Sequence, residues 1–256
     1  MTILTIANQK GGVGKTTTAV TLAHGLAMSG QKTLLVDLDP QGHVAFALGV
    51  DKAPGLYRLI VEEEPLANVV VNARDDLDIV PSDKKTEKAK RTVVISNFPT
   101  ETIGRLFKNI GYDVVIFDMA PSLDVLHISA FMASDWVLIP TKLDAMAIDG
   151  VNEVMRSIGE VAERGHRLGY SILPTFFDRT TRETFTQLKA LVQTFNDRVW
   201  PPIPQDTKAR EAPAYGKTLW EYCLHSPAVA GYDYVFENGY LSIMQRVTEV
   251  LCGQAV

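Results

Sequence analysis

Short apolar runs of strand length alternate with longer stretches of helical periodicity along almost the whole chain. The apolar runs are continuous, which is typical of parallel strands that are covered on both faces. The predicted strands are residues 3–7, 33–39, 77–80, 112–118, 136–140 and 170–177. The predicted helices are residues 15–29, 100–109, 122–133, 146–164 and 181–197. This order predicts an α/β fold, a mostly parallel twisted sheet with helices on both faces, in a single domain over residues 1–256.

Two segments lack this pattern. Residues 40–76 and 201–217 are rich in Pro and charged residues and have weak periodicity, so we predict irregular structure there. Both follow strands, and ligands of open α/β sheets bind beyond the carboxyl ends of the strands, so both are expected to border the site. In the helix over 181–197 an apolar stripe predicts packing against the core; its members are Phe185, Leu188, Leu191, Val192 and Phe195.

Composition and charge narrow the class of protein. Hydrophobic residues make up 46% of the chain and charged residues 21%, as in an ordinary globular protein. The net charge of −5 excludes a globally basic field, so any nucleic-acid binding must come from a local patch. Cys223 and Cys252 are too few for a disulfide framework and have no metal-ligand spacing. Because the sequence shows neither a signal peptide nor a membrane-spanning apolar run, we expect a cytoplasmic protein.

The stretch "NQKGGVGKTTT", Asn8 to Thr18, predicts a phosphate-binding loop. A β-rich run leads into a glycine-rich turn and then a helix N-terminus, where backbone N–H groups and the helix dipole attract anions. In this pattern Lys15 pairs with the outer phosphates, the Thr16 hydroxyl ligates Mg²⁺ and Thr17 donates to an inner phosphate. Lys10 is the unusual feature, because it places a second cation immediately before the glycines.

Carboxylates follow two of the predicted strands. Asp37 ends one strand, Asp39 lies in the loop beyond it, and Asp118 ends a fully apolar strand at the Walker B position. A carboxylate there holds Mg²⁺ directly or through a water, since this ion prefers hard oxygen ligands. We therefore assign Thr16, Asp37 and Asp118 to the metal, and Asp39 to orienting the attacking water.

These motifs together resemble one family. "KGGVGKTTT", "LLVDLDPQG" and "YDVVIFDMAPS" look like the deviant Walker A, switch I and Walker B segments of the ParA/MinD ATPases. "IPQDTKAREAPAYGK" (203–217) is similar to the segment after the last core strand in ParA/Soj partition proteins, in the small form without an N-terminal DNA-binding domain. The resemblance implies an ATPase with ATP and Mg²⁺ as cofactors. It implies nucleotide contacts at Lys10, Gly11, Gly12, Val13, Gly14, Lys15, Thr16 and Thr17, with the adenine near Pro204, Gln205 and Asp206.

The resemblance also implies a role for Lys10. In this family the lysine before the glycines reaches across a nucleotide-sandwich homodimer to the phosphates bound by the other subunit. Like an arginine finger, a cation supplied in trans stabilises charge on the transferring phosphoryl group. The implied catalytic residues are Lys10, Lys15 and Asp39, and the implied dimer-interface residues are Lys10, Asp144 and Asp149. Two family features are replaced: an Asn usually stands at Asp206, and residues 141–150 often carry a pair of tyrosines.

A DNA-partition function follows from the resemblance. The ATP-bound dimer is expected to bind non-specific double-stranded DNA on the nucleoid. Slow hydrolysis, stimulated by a ParB-type centromere-binding adaptor, would drive segregation of a plasmid or chromosome. The candidate DNA contacts are Arg179, Arg182, Lys208 and Arg210. The basic run "KKTEKAKR" (84–91) is typical of an exposed helix, and either extends the DNA patch or meets a partner protein.

Other members of the superfamily provide alternatives. The cargo of a nucleoid-bound ATPase is in some cases a protein assembly, such as a carboxysome or a chemotaxis cluster. A MinD-like membrane ATPase needs a basic amphipathic C-terminal helix, whereas residues 240–256 carry Arg246 as their one base; we expect this apolar face to pack on the body, without membrane binding. An iron–sulfur reductase needs cysteines near Asp39 or Asp118, where none occurs. A metabolic ligase needs a second substrate pocket, for which no motif is present.

Overall fold

The structure, a computed structural model, describes residues 1–95, 101–122, 125–232, 238–251 and 253, so Cys252 lies outside the described residues. Within these residues a seven-stranded sheet is covered by helices. The strands are β1 (Thr2–Ile6), β2 (Thr33–Asp37), β3 (Val71–Arg74), β4 (Leu77–Val80), β5 (Val114–Asp118), β6 (Trp136–Lys142) and β7 (Gly169–Thr175). The helices are α1 (Lys15–Met28), α2 (His43–Leu48), α3 (Gly55–Val61), α4 (Leu66–Val69), α5 (Thr86–Ile95), α6 (Thr102–Leu106), α7 (Val125–Ala133), α8 (Ala147–Glu163), α9 (Arg182–Phe195), α10 (Lys208–Glu211), α11 (Leu219–Tyr222), α12 (Pro227–Ala230) and α13 (Tyr240–Leu251).

The sheet is mostly parallel, which confirms the predicted fold class. Its strand order is β3-β4-β2-β5-β1-β6-β7, and the edge pair β3–β4 is antiparallel. In the β2–β5 register Asp37 lies opposite Asp118, so the two predicted metal ligands end adjacent strands. Because β1 lies between β5 and β6, the glycine-rich loop emerges at the centre of the carboxyl edge.

Each face of the sheet has its own hydrophobic core. In β2, Leu34 and Val36 enter one core and Leu35 enters the other, as the alternation of side chains along a strand requires. The C-terminal helix α13 buries Ile243 and Val247 in the core that α1 shares, which confirms that its apolar face packs on the body. Among the described residues, no helix combines the length and apolarity needed to cross a bilayer.

The prediction of irregular structure over 40–76 was wrong. This segment contains α2, α3, α4 and the edge strand β3. These elements are too short to show a clear period, and tertiary contacts hold them. In α3, Leu56, Leu59 and Ile60 are buried in one core, and the Leu56 amide donates to the Pro81 carbonyl at 3.1 Å. The other segment, 201–217, contains α10 and a 3₁₀ turn, Ala212–Tyr215, between irregular stretches.

The apolar stripe on α9 is covered less than predicted. Leu191 is fully buried, but Phe185 is 52% exposed and Val192 is 45% exposed. Helix α9 follows the edge strand β7, beyond which the sheet has no further strand in the described part of the chain to pack against it. The period identified the inward face of α9 correctly, but the extent of burial depends on neighbouring elements and not on the period.

Helix α2 ends against the 3₁₀ turn through two glycines. Gly49 and Gly216 have φ angles of 69° and 61°, in the left-handed region. A Cβ at Gly216 would lie 2.6 Å from the Gly49 Cα. The Arg74 guanidinium donates to the Leu48 carbonyl at 3.1 Å and to the Gly216 carbonyl at 2.9 Å. Arg74 thus joins the end of α2, which follows Asp39, to the end of the 3₁₀ turn, which follows α10.

Gly216→Ala is expected to lower the free energy of unfolding by about 2–5 kcal/mol. Left-handed backbone costs a non-glycine residue roughly 1–2 kcal/mol, and overpacking adds roughly 1–3 kcal/mol. Urea denaturation of both variants measures the difference, with Gly30→Ala as the matched control. Gly30 has a φ of 85° and open space where a Cβ would lie, so the control carries the backbone cost alone. Equal losses of stability in the two variants would show that the approach of Gly216 to Gly49 is not tight.

Candidate functional site

The glycine-rich loop is attached to two adjacent strands, β6 and β7. The buried Asn8 side chain donates to the Pro140 carbonyl of β6 at 2.9 Å and accepts the Lys10 amide at 2.9 Å. At the last residue of β7, the Thr175 hydroxyl donates to the Val13 carbonyl at 2.9 Å. Gly12 and Gly14 have φ angles of 70° and 91°, which turn the loop into the N-terminus of α1. The loop is therefore held open in the geometry of an anion site.

Lys15 is buried at the base of this loop. Its Nζ atom donates to the Lys10 carbonyl at 2.9 Å, which curls the loop around the ammonium group. Burial lowers the pKa of Lys15, and the nearby carboxylates of Asp118 and Asp39 oppose that shift. A partly desolvated ammonium attracts an incoming anion more strongly than a solvated one, because the surrounding dielectric screens it less.

Asp118 is a strongly perturbed carboxylate at this edge of the sheet. It is fully buried at the end of β5, and burial raises its pKa to about 7, against the opposing effects of Thr16 and Lys15. Neither carboxylate oxygen has a hydrogen bond of ordinary geometry within the described part of the chain. A buried carboxylate without such a bond, next to a threonine hydroxyl, fits a divalent cation as ligand.

The donor set suits Mg²⁺ better than a metal with a complete protein cage. The described residues contain no group of three or more His, Cys, Asp or Glu side chains placed to hold a metal. Mg²⁺ keeps several waters and takes one or two carboxylates together with phosphate oxygens, so it needs no such group.

Asp37 and Asp39 organise the loop between β2 and α2. The Asp37 carboxylate accepts the Asp39 amide at 2.9 Å and the Val44 amide at 3.2 Å. Burial and the neighbouring Asp118 raise the pKa of Asp37 well above its usual value. Asp39 accepts the Gln41 amide at 2.9 Å, and its carbonyl accepts the Ser82 hydroxyl. Asp37 thus fixes the loop that presents Asp39; its additional role as a metal ligand stays a prediction.

Lys10 forms an ion pair within its own chain. Its Nζ atom lies 2.7 and 2.6 Å from the two carboxylate oxygens of Asp144, which follows β6. Burial opposes a low pKa at Asp144, but the hydrogen bond from Lys10 brings its pKa below the ordinary value. The two side chains are 34% and 26% exposed, so this pair stands at the rim of the loop. The other predicted interface residue, Asp149, is exposed in the first turn of α8.

A cavity of about 590 Å³ lies beside the loop. This volume is within the range of small-molecule and cofactor sites. Seven of the predicted residues line it, and they are Gly11, Gly12, Gly14, Lys15, Thr16, Thr17 and Asp39. The lining also includes Ser122, the last residue of the Walker B segment, and two residues of α5, Glu87 and Lys90, which the sequence analysis did not assign to the nucleotide site.

The predicted adenine segment lies apart from this lining. Pro204 is buried and pairs with Phe177 as an extension of β7, and the Gln205 amide donates to the Phe177 carbonyl at 2.8 Å. The Asp206 carboxylate accepts the amides of Lys208 and Ala228 at 2.8 and 3.1 Å. Asp206 therefore has a structural role as a cap, and base contacts at 204–206 stay a prediction.

The candidate DNA-binding residues form two groups that start from paired segments. Arg179 and Arg182 follow Phe177, and Lys208 and Arg210 follow its bridge partner Pro204. Arg179, Arg182 and Arg210 are exposed, with the Arg179 guanidinium 4.7 Å from the Tyr232 ring centroid. Lys208 pairs with Glu211 at 2.8 Å, so part of its charge is neutralised locally.

Comparison with known proteins agrees with this geometry. A family model described as "AAA domain" matches residues 1–168. The chain is 36% identical to the chromosome-partitioning ATPase Soj of Thermus thermophilus over 252 residues, 96% of each chain. Among solved structures it resembles an ATP complex of McdA from Cyanothece, with a TM-score of 0.82, 23% identity and coverage of 100% of this chain and 98% of that one.

A second solved structure is closer in sequence. It is named as the cobyrinic acid a,c-diamide synthase of Mycobacterium smegmatis and contains an ATP analogue and magnesium. The TM-score is 0.75 and the identity 29%, over 84% of this chain and 91% of that one. The match to Soj extends over nearly the full length of both chains, and the loop, the strand-end acids and the sheet agree with it. The chain therefore belongs to the ParA/Soj family of P-loop ATPases.

Proposed function

We propose that this protein binds ATP with Mg²⁺ in the cavity beside the glycine-rich loop and hydrolyses it slowly. The observation that carries the proposal is the convergence of Lys15, Thr16 and Asp39 on one cavity above the buried Asp118. The solved relative with an ATP analogue and magnesium supports the choice of cofactors. Thr16 and Asp118, with Asp37, would hold Mg²⁺, and the ion would neutralise charge on the transferring phosphoryl group.

The side chains then have distinct tasks. Lys15 exchanges its bond to the Lys10 carbonyl for phosphate oxygens, and the loop amides bind the remaining oxygens. Asp39, held by the Gln41 amide, orients the water that attacks the terminal phosphate. Both tasks depend on positioning, because phosphoryl transfer needs little covalent chemistry from the protein.

ATP binding drives formation of a homodimer in this proposal. In the monomer Lys10 is neutralised by Asp144. In the dimer it leaves Asp144 and reaches the phosphates bound by the other subunit. Without a terminal phosphate to receive them, two opposed lysines would repel each other, so dimerisation depends on the triphosphate.

The dimer binds double-stranded DNA without sequence preference, which places it on the nucleoid. Two copies double the contribution of the exposed Arg179, Arg182 and Arg210 in a chain whose net charge is −5. A ParB-type adaptor stimulates hydrolysis, releases the dimer from DNA and so moves a plasmid or chromosome. The relative Soj, named as a chromosome-partitioning ATPase, supports this cargo.

Binding to non-specific duplex DNA tests the function, measured with ATP, ADP or no nucleotide across a salt series. Anionic liposomes in the same three nucleotide states form a parallel arm. We expect ATP-dependent, salt-sensitive DNA binding and no liposome binding. Liposome binding without DNA binding would favour a MinD-like membrane ATPase, and binding to neither would favour a switch acting on protein alone.

Removing the exposed arginines Arg182 and Arg210 together is expected to weaken DNA binding at every sequence. Each DNA phosphate that the variant no longer neutralises makes the log–log salt slope less steep by about 0.9. Arg164→Ala combined with Arg167→Ala is the matched control. These two exposed arginines lie between the end of α8 and the start of β7, at the opposite edge of the sheet from the loop. Equal weakening in the control would assign the binding to diffuse charge.

A further inference from the structure

Helix α5 turns one lysine of its basic run into the nucleotide cavity. The sequence predicts an exposed helix for the run 84–91, and Lys84, Lys85, Lys88 and Arg91 are indeed exposed. Lys90 differs, because it is 9% exposed and lies on the same face as the buried residues Thr86, Ala89 and Val93. Lysine is among the residues least often buried, so its position on an inward face calls for a functional or structural reason.

The surroundings of Lys90 are polar and belong to the cavity wall. Its Nζ atom lies 3.4 Å from the Ser122 hydroxyl and 3.8 Å from the Glu87 carboxylate. Ser122 stands in the loop that follows Asp118 at the end of β5. Lys90, Glu87 and Ser122 line the same cavity as Lys15 and Asp39. The cavity is therefore lined by two lysines, Lys15 at the start of α1 and Lys90 on α5.

The position of Lys90 in the cavity indicates which phosphate of a bound nucleotide it contacts. The inner phosphates of a nucleotide bind at the loop amides and at Thr17, beside the N-terminus of α1. Lys90 lies by contrast on α5, in contact with Ser122 of the loop after Asp118, and it lines the cavity together with Asp39 and Gln41. Asp39 is the group assigned to the attacking water, which approaches the terminal phosphate from its outer side.

We propose that Lys90 is a further phosphate-binding lysine, supplied in cis, which contacts the terminal phosphate of a nucleoside triphosphate. The inference rests on the proposed ATP site and deepens it. Lys90 reaches the phosphate by exchanging contacts within its own chain, among them those with Ser122 and Glu87, for phosphate oxygens. Because a diphosphate has no group at that place, Lys90 discriminates ATP from ADP.

The simplest alternative is an anchoring role, in which Lys90 ties α5 to the loop at Ser122. An anchor would affect both nucleotides equally, together with the stability of the fold. A terminal-phosphate contact would affect the triphosphate selectively. The ratio of the two affinities therefore separates the two roles, whereas activity alone would not.

The test uses the full chain with Mg²⁺, a non-hydrolysable ATP analogue and ADP, and measures both dissociation constants by calorimetry. Lys90→Gln is expected to weaken analogue binding about tenfold, as loss of one charged hydrogen bond implies, and to leave ADP binding within about threefold. Lys90→Arg is expected to restore most of the analogue affinity. Lys88→Gln is the matched control, since Lys88 is exposed on the same helix.

Each other outcome has a defined meaning. Equal weakening for both nucleotides with a lower melting temperature would make Lys90 an anchor and overturn the proposal. Unchanged analogue binding in Lys90→Gln would overturn it as well. If the wild-type chain bound neither nucleotide, the proposed ATP site itself would fail, and the inference with it. The affinity ratio does not depend on DNA binding, so failure of the partition function would leave it standing.

Discussion

Asp39→Ala is expected to lower the rate of ATP hydrolysis by about 10²–10⁴-fold, the contribution typical of a positioned acid–base group. ATP affinity and ATP-dependent dimerisation should change little, because the proposed role of Asp39 is to contact the attacking water and not the phosphates. Phosphate release under saturating ATP measures the rate, and calorimetry with a non-hydrolysable analogue measures the affinity.

The control for this variant must account for the backbone role of Asp39. Its carboxylate accepts the Gln41 amide, and its loss also loosens the loop. Asp39→Asn retains an acceptor for that amide but lacks the negative charge that orients water. If Asp39→Asn hydrolysed ATP at the wild-type rate while Asp39→Ala did not, the effect would come from loop geometry. Wild-type turnover in both variants would remove Asp39 from the chemistry.

Lys10→Gln is expected to abolish ATP-dependent dimerisation and to reduce hydrolysis to the level of the monomer. The monomer should remain folded and bind ADP, since Lys15 and the loop amides are unchanged. The broken ion pair with Asp144 is about one-third exposed and costs at most about 1 kcal/mol. Light scattering after size-exclusion chromatography, with ATP analogue or ADP present, measures the dimer.

Asp144→Asn provides the complementary variant. It removes the anion that neutralises Lys10 in the monomer, so Lys10 no longer has to leave an ion pair before it crosses to the other subunit. Because each dimer breaks two such pairs, one in each subunit, we expect the dimer to form at a protein concentration up to about thirtyfold lower, the factor that corresponds to about 2 kcal/mol. Dimerisation of Lys10→Gln at wild-type concentrations would contradict the trans role of Lys10, whatever the Asp144 variant does.

The strands and the long helices could be predicted from the sequence because their hydrophobic patterns involve residues that are close together in the chain. Continuous apolar runs predicted the strands β1, β2, β4, β5, β6 and β7 within a few residues, and the sheet they form is mostly parallel. Elements shorter than one clear period were missed, as α2, α3 and α4 show. Burial against the core, as at Leu56 and Leu59, stabilises the helical conformation of these residues. Their own helix propensity contributes less.

The candidate site also has features that the sequence predicts and features that only the tertiary structure shows. A glycine turn between strand and helix, the Lys15–Thr16 pair and the acids at strand ends all depend on residues close in sequence, so the sequence alone was enough to predict which residues approach a phosphate. Only the tertiary structure decided how these groups are paired and buried. It places Lys10 beside Asp144, which follows a different strand. It also buries Asp118, and this burial raises the pKa of Asp118 to about 7. It also turned Lys90, one lysine of a basic run, into the cavity. Pairing and burial depend on which elements the fold places side by side, and no local pattern in the sequence carries that information.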